Sequence, residues 1–318
     1  MPKVSVVIPF YNVENYFEIC LNRLFNQTLD DIEYIFVDDG STNNSKEILN
    51  KIIKTYPNRR NRIKIIIHDI NMGVAFARTS GIKNATGEYI IHCDADDYPE
   101  TTMYETLYKK AKKEDADIVI CNHSRLCKAK KIYDSNLVEF NNPHDYLIKW
   151  CELDCNYAPL WDKLIKRSLI VENGIYPVPN LDLGEDLICV VKAFYHAKKI
   201  IIHPDHLYNY NYRENSLTSS KLSDKKASMK IDLANQIKEA LPEEKFDVLC
   251  NYFKFNTKMG LRNYFKDNPR YWFNLFSESH KDIFRFKSNS LKVRIFWFII
   301  LSHYPVFRCV QKYIKCLI

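Results

Sequence analysis

The stretch Glu88–Tyr98 reads EYIIHCDADDY, and the rest of the chain is interpreted outward from it. Its start, Tyr89–Ile91, is rich in aromatic and β-branched residues and predicts a buried strand. The strand is followed by three carboxylates, and continued alternation would point Asp94 and Asp96 to one face and Asp97 to the other. Carboxylates this close repel one another unless a cation lies between them. The stretch is therefore either a solvated acidic turn or a site for Mg²⁺ or Mn²⁺.

The composition of the whole chain excludes several classes of protein. Its 318 residues, 46% hydrophobic and 27% charged, are typical of a globular protein. Only 7 glycines occur, and neither G-x-G-x-x-G nor G-x-x-x-x-G-K-[ST] is present, which argues against a Rossmann dinucleotide site and a P-loop. The ten cysteines form no C-x-x-C pair, and the start MPKVSVVIPF lacks the pattern of a signal peptide. These features predict a reduced, cytoplasmic protein.

Positive charge is concentrated in the last third of the chain. Residues 221–318 contain 19 Lys and Arg against 9 Asp and Glu, a net charge of +10, whereas the remainder carries −3. Such asymmetry indicates an anionic partner, either nucleic acid or a membrane surface. The apolar run Ile295–Leu301 is too short to span a membrane. With its basic neighbours it favours a helix in the membrane interface, the alternative being a helix that packs on its own domain.

Strands and helices alternate through the first part of the chain. The predicted helices include 45–56, 74–84 and 101–113, and the predicted strands are Val4–Ile8, Tyr34–Val37, Ile63–His68, Tyr89–Ile91 and Ile118–Ile120. This alternation predicts a parallel α/β sheet. Ligands bind beyond the carboxyl ends of such strands. Three clusters lie at strand ends: Pro9–Tyr11, Asp38–Asp39 and Asp94–Asp96.

The following segments have weaker patterns. Residues 121–150 are polar and predict an irregular segment, whereas Lys163–Ile170 has a helical pattern. A helix is expected directly after Glu185–Asp186, and a short strand over Ile200–His203.

From about Ser223 onward the pattern is helical, with no clear strand. Helices are predicted near 224–241, 243–266, 269–286 and 289–316. We therefore predict two domains, an α/β domain over 1–220 and a basic helical domain over 221–318, the second one membrane-associating.

Six motifs occur in order across roughly residues 3–218. They are VSVVIPFYN, VDDGSTNNS, GVAFARTSG, CDADDY, the W-x-K of Trp161 and Lys163, and the GED of 184–186. This ordered set resembles glycosyltransferase family 2. The resemblance implies the GT-A fold, a Rossmann-like, mostly parallel central sheet flanked by helices, here with a helical C-terminal appendage. It also implies inverting transfer of a sugar from a nucleotide sugar, usually UDP-linked, with Mn²⁺ or Mg²⁺.

The resemblance also implies roles at the donor side. Pro9 and Tyr11 would border the nucleobase. Asp39, with Asp38 beside it, would hydrogen-bond the base or the ribose. Arg78 lies in the segment that approaches the nucleotide or the sugar.

The acidic stretch takes the place of the family's DXD motif. Asp96 would be the better metal ligand, Asp94 would lie nearer the ribose, and Asp97 is a third candidate ligand. Further along the chain, Arg213 is a candidate partner for the diphosphate.

Asp186 matches the family's catalytic base, with Glu185 beside it, and the family places Trp161 and Lys163 near the acceptor. Inversion requires a base on the face opposite the diphosphate, and therefore from a segment other than the DXD motif. A helix N-terminus would keep Asp186 ionised. The alternatives are an acid that only complements the helix dipole, and a Trp and a Lys that serve only as packing and surface charge.

Two departures from the family narrow the expected activity. No Q-x-x-R-W follows GED, and no multispan membrane region occurs, so single additions are predicted rather than polymerisation. The acceptor would be a growing glycan on a membrane lipid, or a cell-surface glycan precursor, reached from the cytosolic face.

Two other functions compete with this interpretation. A nucleotidyltransferase would show a Gly-rich, basic phosphate loop after the first strand, which VIPFYNVEN lacks. The second competitor is a nucleic-acid-binding module built on the basic helices. We favour the glycosyltransferase, with no nucleic-acid partner.

Overall fold

The computed structural model describes residues 1–127, 130–134, 137–152, 157–181, 183–212 and 222–286. The predictions for Arg213 and for the basic helix over 289–316 fall outside these residues. Two compact units result: Met1–Tyr146 with Cys155–Lys221, and Leu147–Asp154 with Leu222–Ile318. The division of the chain into domains over 1–220 and 221–318 stays a prediction.

The first unit is built on one mixed sheet. In spatial order its strands are β3 (Ile63–Ile67), β2 (Ile32–Asp38), β1 (Val4–Phe10), β4 (Tyr89–His92), β8 (Lys163–Lys166), β6 (Ile118–Cys127), β9 (Ile200–Asn211) and β5 (Tyr98–Pro99), while β7 (Lys130–Asp134) pairs with β6. The first four strands are parallel. Strand β8 runs antiparallel to both of its neighbours, and β6 is parallel to β9. The parallel ends of β1, β2 and β4 therefore share one edge, as predicted.

Helices are distributed along the same unit. They are α1 (Phe17–Phe25), α2 (Ser45–Thr55), α3 (Val74–Asn84), α4 (Met103–Glu114), α5 (Pro143–Trp150), α6 (Arg167–Glu172) and α7 (Glu185–His196). From Leu147 onward, α5 belongs to the second unit. The amphipathic pattern of α1 buries Phe17, Leu21 and Leu24. Every residue of β1, β2 and β4 is buried, which explains why these strands read as continuous apolar runs.

Three sequence predictions are wrong after residue 120. The segment 121–150 is not irregular, because β6 continues to Cys127 and β7 and α5 follow. Strand β6 was not predicted beyond residue 120 because its second half contains polar residues, although the strand pairs with a neighbour on each side. The predicted helix over Lys163–Ile170 is a strand to Lys166 followed by α6. The short strand at Ile200 extends to Asn211, because its polar half pairs with β6.

Residues 222–286 of the second unit are mainly helical. Its elements are α8 (Asp224–Ala240), a 3-10 turn (Glu244–Phe246), α9 (Asp247–Gly260), α10 (Pro269–Asn274) and a 3-10 helix (Ser277–Arg285). Phe246, Phe255 and Ile283 are among its buried side chains. The helices predicted over 243–266 and 269–286 are each interrupted by 3-10 or irregular turns. Within the described ranges, no helix combines the length and apolarity needed to cross a bilayer.

Helix α3, which carries Arg78, lies very close to the sheet. A Cβ added at Gly81 would stand 2.3 Å from Cγ1 of Val7. Glycine is therefore required at 81 by close approach. Because α3 cannot move outward without losing its contacts with β1, Gly81 fixes the depth of the helix.

We expect Gly81→Ala to lower the free energy of unfolding by about 1–3 kcal/mol, the usual result of overpacking. Chemical denaturation measures this loss. Adding Val7→Ala should restore part of it, because the second change removes the clashing methyl group. If the losses caused by Gly81→Ala and by Val7→Ala simply add in the double variant, the close-packing explanation is contradicted.

Candidate active site

The chain turns sharply after β4. The amide of Asp97 donates to the carbonyl of Asp94 at 3.1 Å, so the alternation of the strand ends before the carboxylates. One carboxylate oxygen each from Asp94, Asp96 and Asp97 lies within 4.8 Å of the others. The expectation that Asp97 points away from the other two is wrong, because the turn gathers all three.

Strand β9 holds this acidic turn from behind. The hydroxyl of Tyr208 donates to Oδ2 of Asp97 at 3.1 Å, and the amide of Asn211 donates to Oδ1 at 2.7 Å. The same hydroxyl accepts from the amide of Asp94 at 3.1 Å. Burial, and then the charge of Asp94, raise the pKa of Asp97 well above its ordinary value. Sequence reasoning missed Tyr208 and Asn211, which were visible only as part of an aromatic-rich run.

The donor set of the turn fits a divalent cation. All three side chains offer carboxylate oxygens, the hard ligands that Mg²⁺ and Mn²⁺ prefer. Asp94 and Asp96 are half-buried, whereas Asp97 is buried and bonded to β9. The first two could therefore ligate an ion directly, with Asp97 fixing the turn.

A buried arginine joins this turn to a second group of acids. The side chain of Arg78 is 3% exposed, and its Nη2 donates to Oδ1 of Asp94 at 2.9 Å. Its Nη1 lies 3.2 Å from Oδ1 of Asp186, and its Nε lies 3.6 Å from Oε1 of Glu185. Burial disfavours the charged guanidinium, but the three carboxylates together raise its pKa. Arg78 thus contacts acids from two distant parts of the chain.

Both GED acids lie in the first turn of α7. Gly184, at φ 88°, adopts the left-handed conformation that starts this helix. Burial raises the pKa of Glu185 well above its ordinary value, and the neighbouring Asp186 raises it further.

The environment of Asp186 suits a proton acceptor. Its Oδ2 accepts from the amide of Leu160 at 3.4 Å. Its buried Oδ1 makes no hydrogen bond to any of the described residues. Burial raises the pKa of Asp186, and Arg78 opposes that rise. The shift is opposite to the one expected from the helix N-terminus, because loss of solvent outweighs the dipole.

The predicted nucleotide rim lies at the ends of β1 and β2. Pro9 is buried within β1, and Tyr11, 45% exposed, follows the strand. Asp38 is fully buried, and its Oδ1 accepts from the amide of Ser41 at 2.8 Å. Asp38 therefore stabilises the turn after β2 and does not present its carboxylate to solvent.

Asp39 is tied to a neighbouring loop. Its Oδ1 lies 2.8 Å from Nδ1 of His68 and accepts from the amide of Met72 at 3.1 Å. Its Oδ2 accepts from the amide of Gly73 at 2.8 Å. Asp39 thus positions the loop that leads into α3, a structural task that the sequence did not reveal.

The two residues predicted on the acceptor side are both buried. Trp161 is 6% exposed and stacks on Tyr208 with ring centroids 4.3 Å apart. Lys163 is fully buried, and its ammonium donates to the carbonyl of Pro159 and to Oδ1 of Asp162, each at 2.6 Å. Lys163 is therefore not a surface charge, and neither side chain presents an exposed face to an acceptor.

The sequence of residues 5–169 matches the family described as glycosyl transferase family 2. Together with the acidic turn at the end of β4, this match decides the assignment. The chain belongs to glycosyltransferase family 2. The family match favours the glycosyltransferase interpretation of the sequence over the nucleotidyltransferase and the nucleic-acid-binding module.

Curated relatives support the same family. A cholesterol galactosyltransferase of Borreliella burgdorferi is 36% identical over 233 residues, which are 69% of this chain and 62% of that protein. A poly(ribitol-phosphate) beta-glucosyltransferase of Bacillus spizizenii is 35% identical over 215 residues, 65% of this chain and 32% of that protein. The match thus spans less than two thirds of the length of either relative.

Solved glycosyltransferases share the fold. TarS 1–349 of S. aureus in complex with UDP-GlcNAc matches with a TM-score of 0.72 and 22% identity, covering 96% of this chain and 87% of that one. A mannosyltransferase, PcManGT from Pyrobaculum calidifontis, in complex with GDP-Man and Mn²⁺, matches with a TM-score of 0.55 and 16% identity, covering 95% and 84%. The GT-A fold class predicted from the sequence is confirmed.

Removing the hydroxyl that holds the acidic turn tests its structural role. Tyr208→Phe should lower the free energy of unfolding by about 1–3 kcal/mol, because Oδ2 of Asp97 loses its donor and the amide of Asp94 loses its acceptor. Chemical denaturation would measure this change. Tyr133→Phe, at an exposed tyrosine, is the control and should have almost no effect. Equal effects of the two variants would contradict the assigned role.

The buried Asp162 predicts a pH-dependent stability. Burial raises its pKa to about 6, although Lys163 opposes the rise. Because the pKa of Asp162 is higher in the folded state, its protonated form stabilises the fold fully below the unfolded-state pKa of about 4. This stabilisation is lost as pH rises through the folded-state pKa. Relative to Asp162→Asn, the wild type should therefore lose about 3 kcal/mol between about pH 4 and 7. Denaturation of both proteins across this range would measure it, and a constant difference would contradict the shift.

Proposed function

We propose that the protein transfers single sugars from a UDP-sugar to a hydroxyl of a glycan or lipid-linked acceptor, with inversion at the anomeric carbon and with Mn²⁺ or Mg²⁺. One observation carries the proposal. The acidic turn after β4 and the two acids that begin α7 meet at the buried guanidinium of Arg78. Asp94 and Asp186 are 92 positions apart in the sequence. In this proposal the candidate metal ligands and the candidate base nevertheless belong to one site.

The acidic turn serves the leaving group. In this proposal Asp96 and Asp94 hold the cation, and Asp97 keeps the turn in place. When bound, the ion neutralises negative charge that develops on the departing diphosphate. The complex of PcManGT with GDP-Man and Mn²⁺ supports a divalent ion, and the complex of TarS with UDP-GlcNAc supports a UDP-linked donor.

The rim at the ends of β1 and β2 would receive the nucleoside. We assign Pro9 and Tyr11 to the border of the base, and the loop held by Asp39 to the base or ribose. Arg213, outside the described residues, remains the proposed partner of the diphosphate.

Asp186 is the proposed general base. Its carboxylate, which pairs with Arg78 and accepts one long hydrogen bond from the amide of Leu160, would take the proton of the acceptor hydroxyl as that oxygen attacks the anomeric carbon. Because burial raises the pKa of Asp186, its carboxylate is a stronger base than a solvated one, and Arg78 favours the ionised form. A base from α7, rather than from the metal-binding turn, permits attack from the face opposite the diphosphate.

The acceptor and membrane assignments rest on the relatives and on charge. The names of the two curated relatives specify cholesterol and poly(ribitol phosphate), a lipid and a polymer. The net charge of +10 over residues 221–318 supports peripheral binding to an anionic membrane at its cytosolic face. The absence of Q-x-x-R-W after GED supports single additions.

A panel of nucleotide sugars tests the proposal. Turnover of each donor would be measured with Mn²⁺ for the wild type, Asp96→Ala and Asp186→Asn. We expect one UDP-sugar to be consumed, and Asp186→Asn to reduce that rate by about 100-fold or more, because a positioned base contributes at least that factor. Asp96→Ala should weaken Mn²⁺ binding, measured by calorimetry on the free protein.

Asp30→Asn is the matched control, since that carboxylate is exposed and belongs to a loop before β2. It should retain the wild-type rate. Absence of turnover with every donor, or full activity in both site variants, would refute the proposal. An unchanged rate in the presence of a chelator would refute the metal requirement alone.

A further inference from the structure

Arg78 is surrounded by acids, with one hydrogen bond to Asp94 and ion pairs to Asp186 and Glu185. Each of its three nitrogens faces a different carboxylate, at 2.9 Å for Asp94, 3.2 Å for Asp186 and 3.6 Å for Glu185. The side chain is 3% exposed. A nucleotide could reach this guanidinium only by displacing one of these acids. The geometry therefore does not favour the donor-binding role that the sequence suggested.

We infer that Arg78 is a positioning residue for Asp186. Arg78 fixes the start of α7 against the acidic turn, and its positive charge favours the ionised Asp186 carboxylate. The inference rests on the proposed function, in which Asp186 is the base. A hydrogen bond to Asp94 and an ion pair to Asp186, made by the two terminal nitrogens of one planar guanidinium, restrict where both carboxylates can lie. A lysine carries the same charge but cannot hold two acids in that fixed geometry.

The charged and titratable groups around Asp186 single out Arg78. Four nearby groups become negatively charged when they ionise, and they therefore disfavour a second anion at Asp186. They are Asp94 from the turn, Glu185 and Cys189 from α7, and Asp162 beside β8. Lys163 is a cation, but its ammonium donates directly to Asp162. Among the described residues, Arg78, at 3.2 Å, is therefore the cation that compensates Asp186 directly.

Three variants separate positioning from donor binding and from simple stabilisation: Arg78→Gln, Arg78→Lys and Arg59→Gln. Arg59 is the matched control, because it is a largely buried arginine that donates to four backbone carbonyls, those of Phe25, Gln27, Leu29 and Asp30. Each protein would be assayed for UDP affinity by calorimetry and for kcat as a function of pH with the UDP-sugar that the panel identifies. Circular dichroism verifies folding.

For Arg78→Gln we expect kcat to fall about 100-fold, the usual effect of a base displaced by about 1 Å. The acid limb of its kcat profile should move upward by about one pH unit or more, because an opposite charge has been removed. UDP affinity should stay within about threefold, a change of less than 1 kcal/mol. Arg78→Lys should return the acid limb toward the wild type while kcat remains low. Arg59→Gln should lose stability without moving the profile.

The inference is overturned if Arg78→Gln leaves the acid limb unchanged and weakens UDP affinity more than about tenfold. Arg78 would then be a ligand of the donor. If Arg78→Gln does not fold, Arg78→Lys decides, since wild-type kcat in that variant would also overturn the inference. Asp186→Asn distinguishes the two levels. If Asp186→Asn keeps the acid limb of the kcat profile, Asp186 is not the base and the proposed function is refuted at that point. If Asp186→Asn loses the acid limb but the Arg78 variants do not move it, only the positioning role of Arg78 is refuted.

Discussion

Burying several carboxylates side by side is unfavourable unless a cation lies between them, and the guanidinium of Arg78 meets that condition. Its three acids come from the turn after β4 and from the start of α7, so a single side chain makes their juxtaposition tolerable. Removing one partner of such a buried group leaves uncompensated charge, which typically costs about 3–5 kcal/mol. The position of α7 relative to the sheet therefore depends on the electrostatics of the site as well as on packing.

Two further layers support that arrangement. Helix α3 carries Arg78 at a depth set by the contact of Gly81 with Val7. From the other side, β9 places the hydroxyl of Tyr208 beneath the acidic turn, and Trp161 stacks on the same ring. These residues bind no substrate in the proposed reaction. They restrict the positions of the groups that do, which is what a preorganised site requires.

Most of the first 120 residues were predictable because β1, β2 and β4 are buried along their whole length and read as apolar runs, and the more exposed strand β3 is still rich in isoleucine. The second half of the sheet was not, since β6 and β9 carry polar residues whose partners lie more than 80 positions away, as for Asn122 and His206. At the site, the motifs located Asp94, Asp96 and Asp186. Their residue types could not show that Arg78 is enclosed by acids, that Lys163 is buried, or that Tyr208 holds Asp97, because all three depend on tertiary contacts.

A crystal structure with UDP and Mn²⁺, using anomalous scattering at the manganese edge, tests the central claim most directly. We predict an anomalous peak within ligand distance of carboxylate oxygens of Asp96 and Asp94, with Arg78 still contacting Asp186 and with Asp186 outside the ligand set. A peak ligated by Asp186, or one that lies away from the acidic turn, would contradict a site in which separate carboxylates serve the leaving group and the attacking hydroxyl.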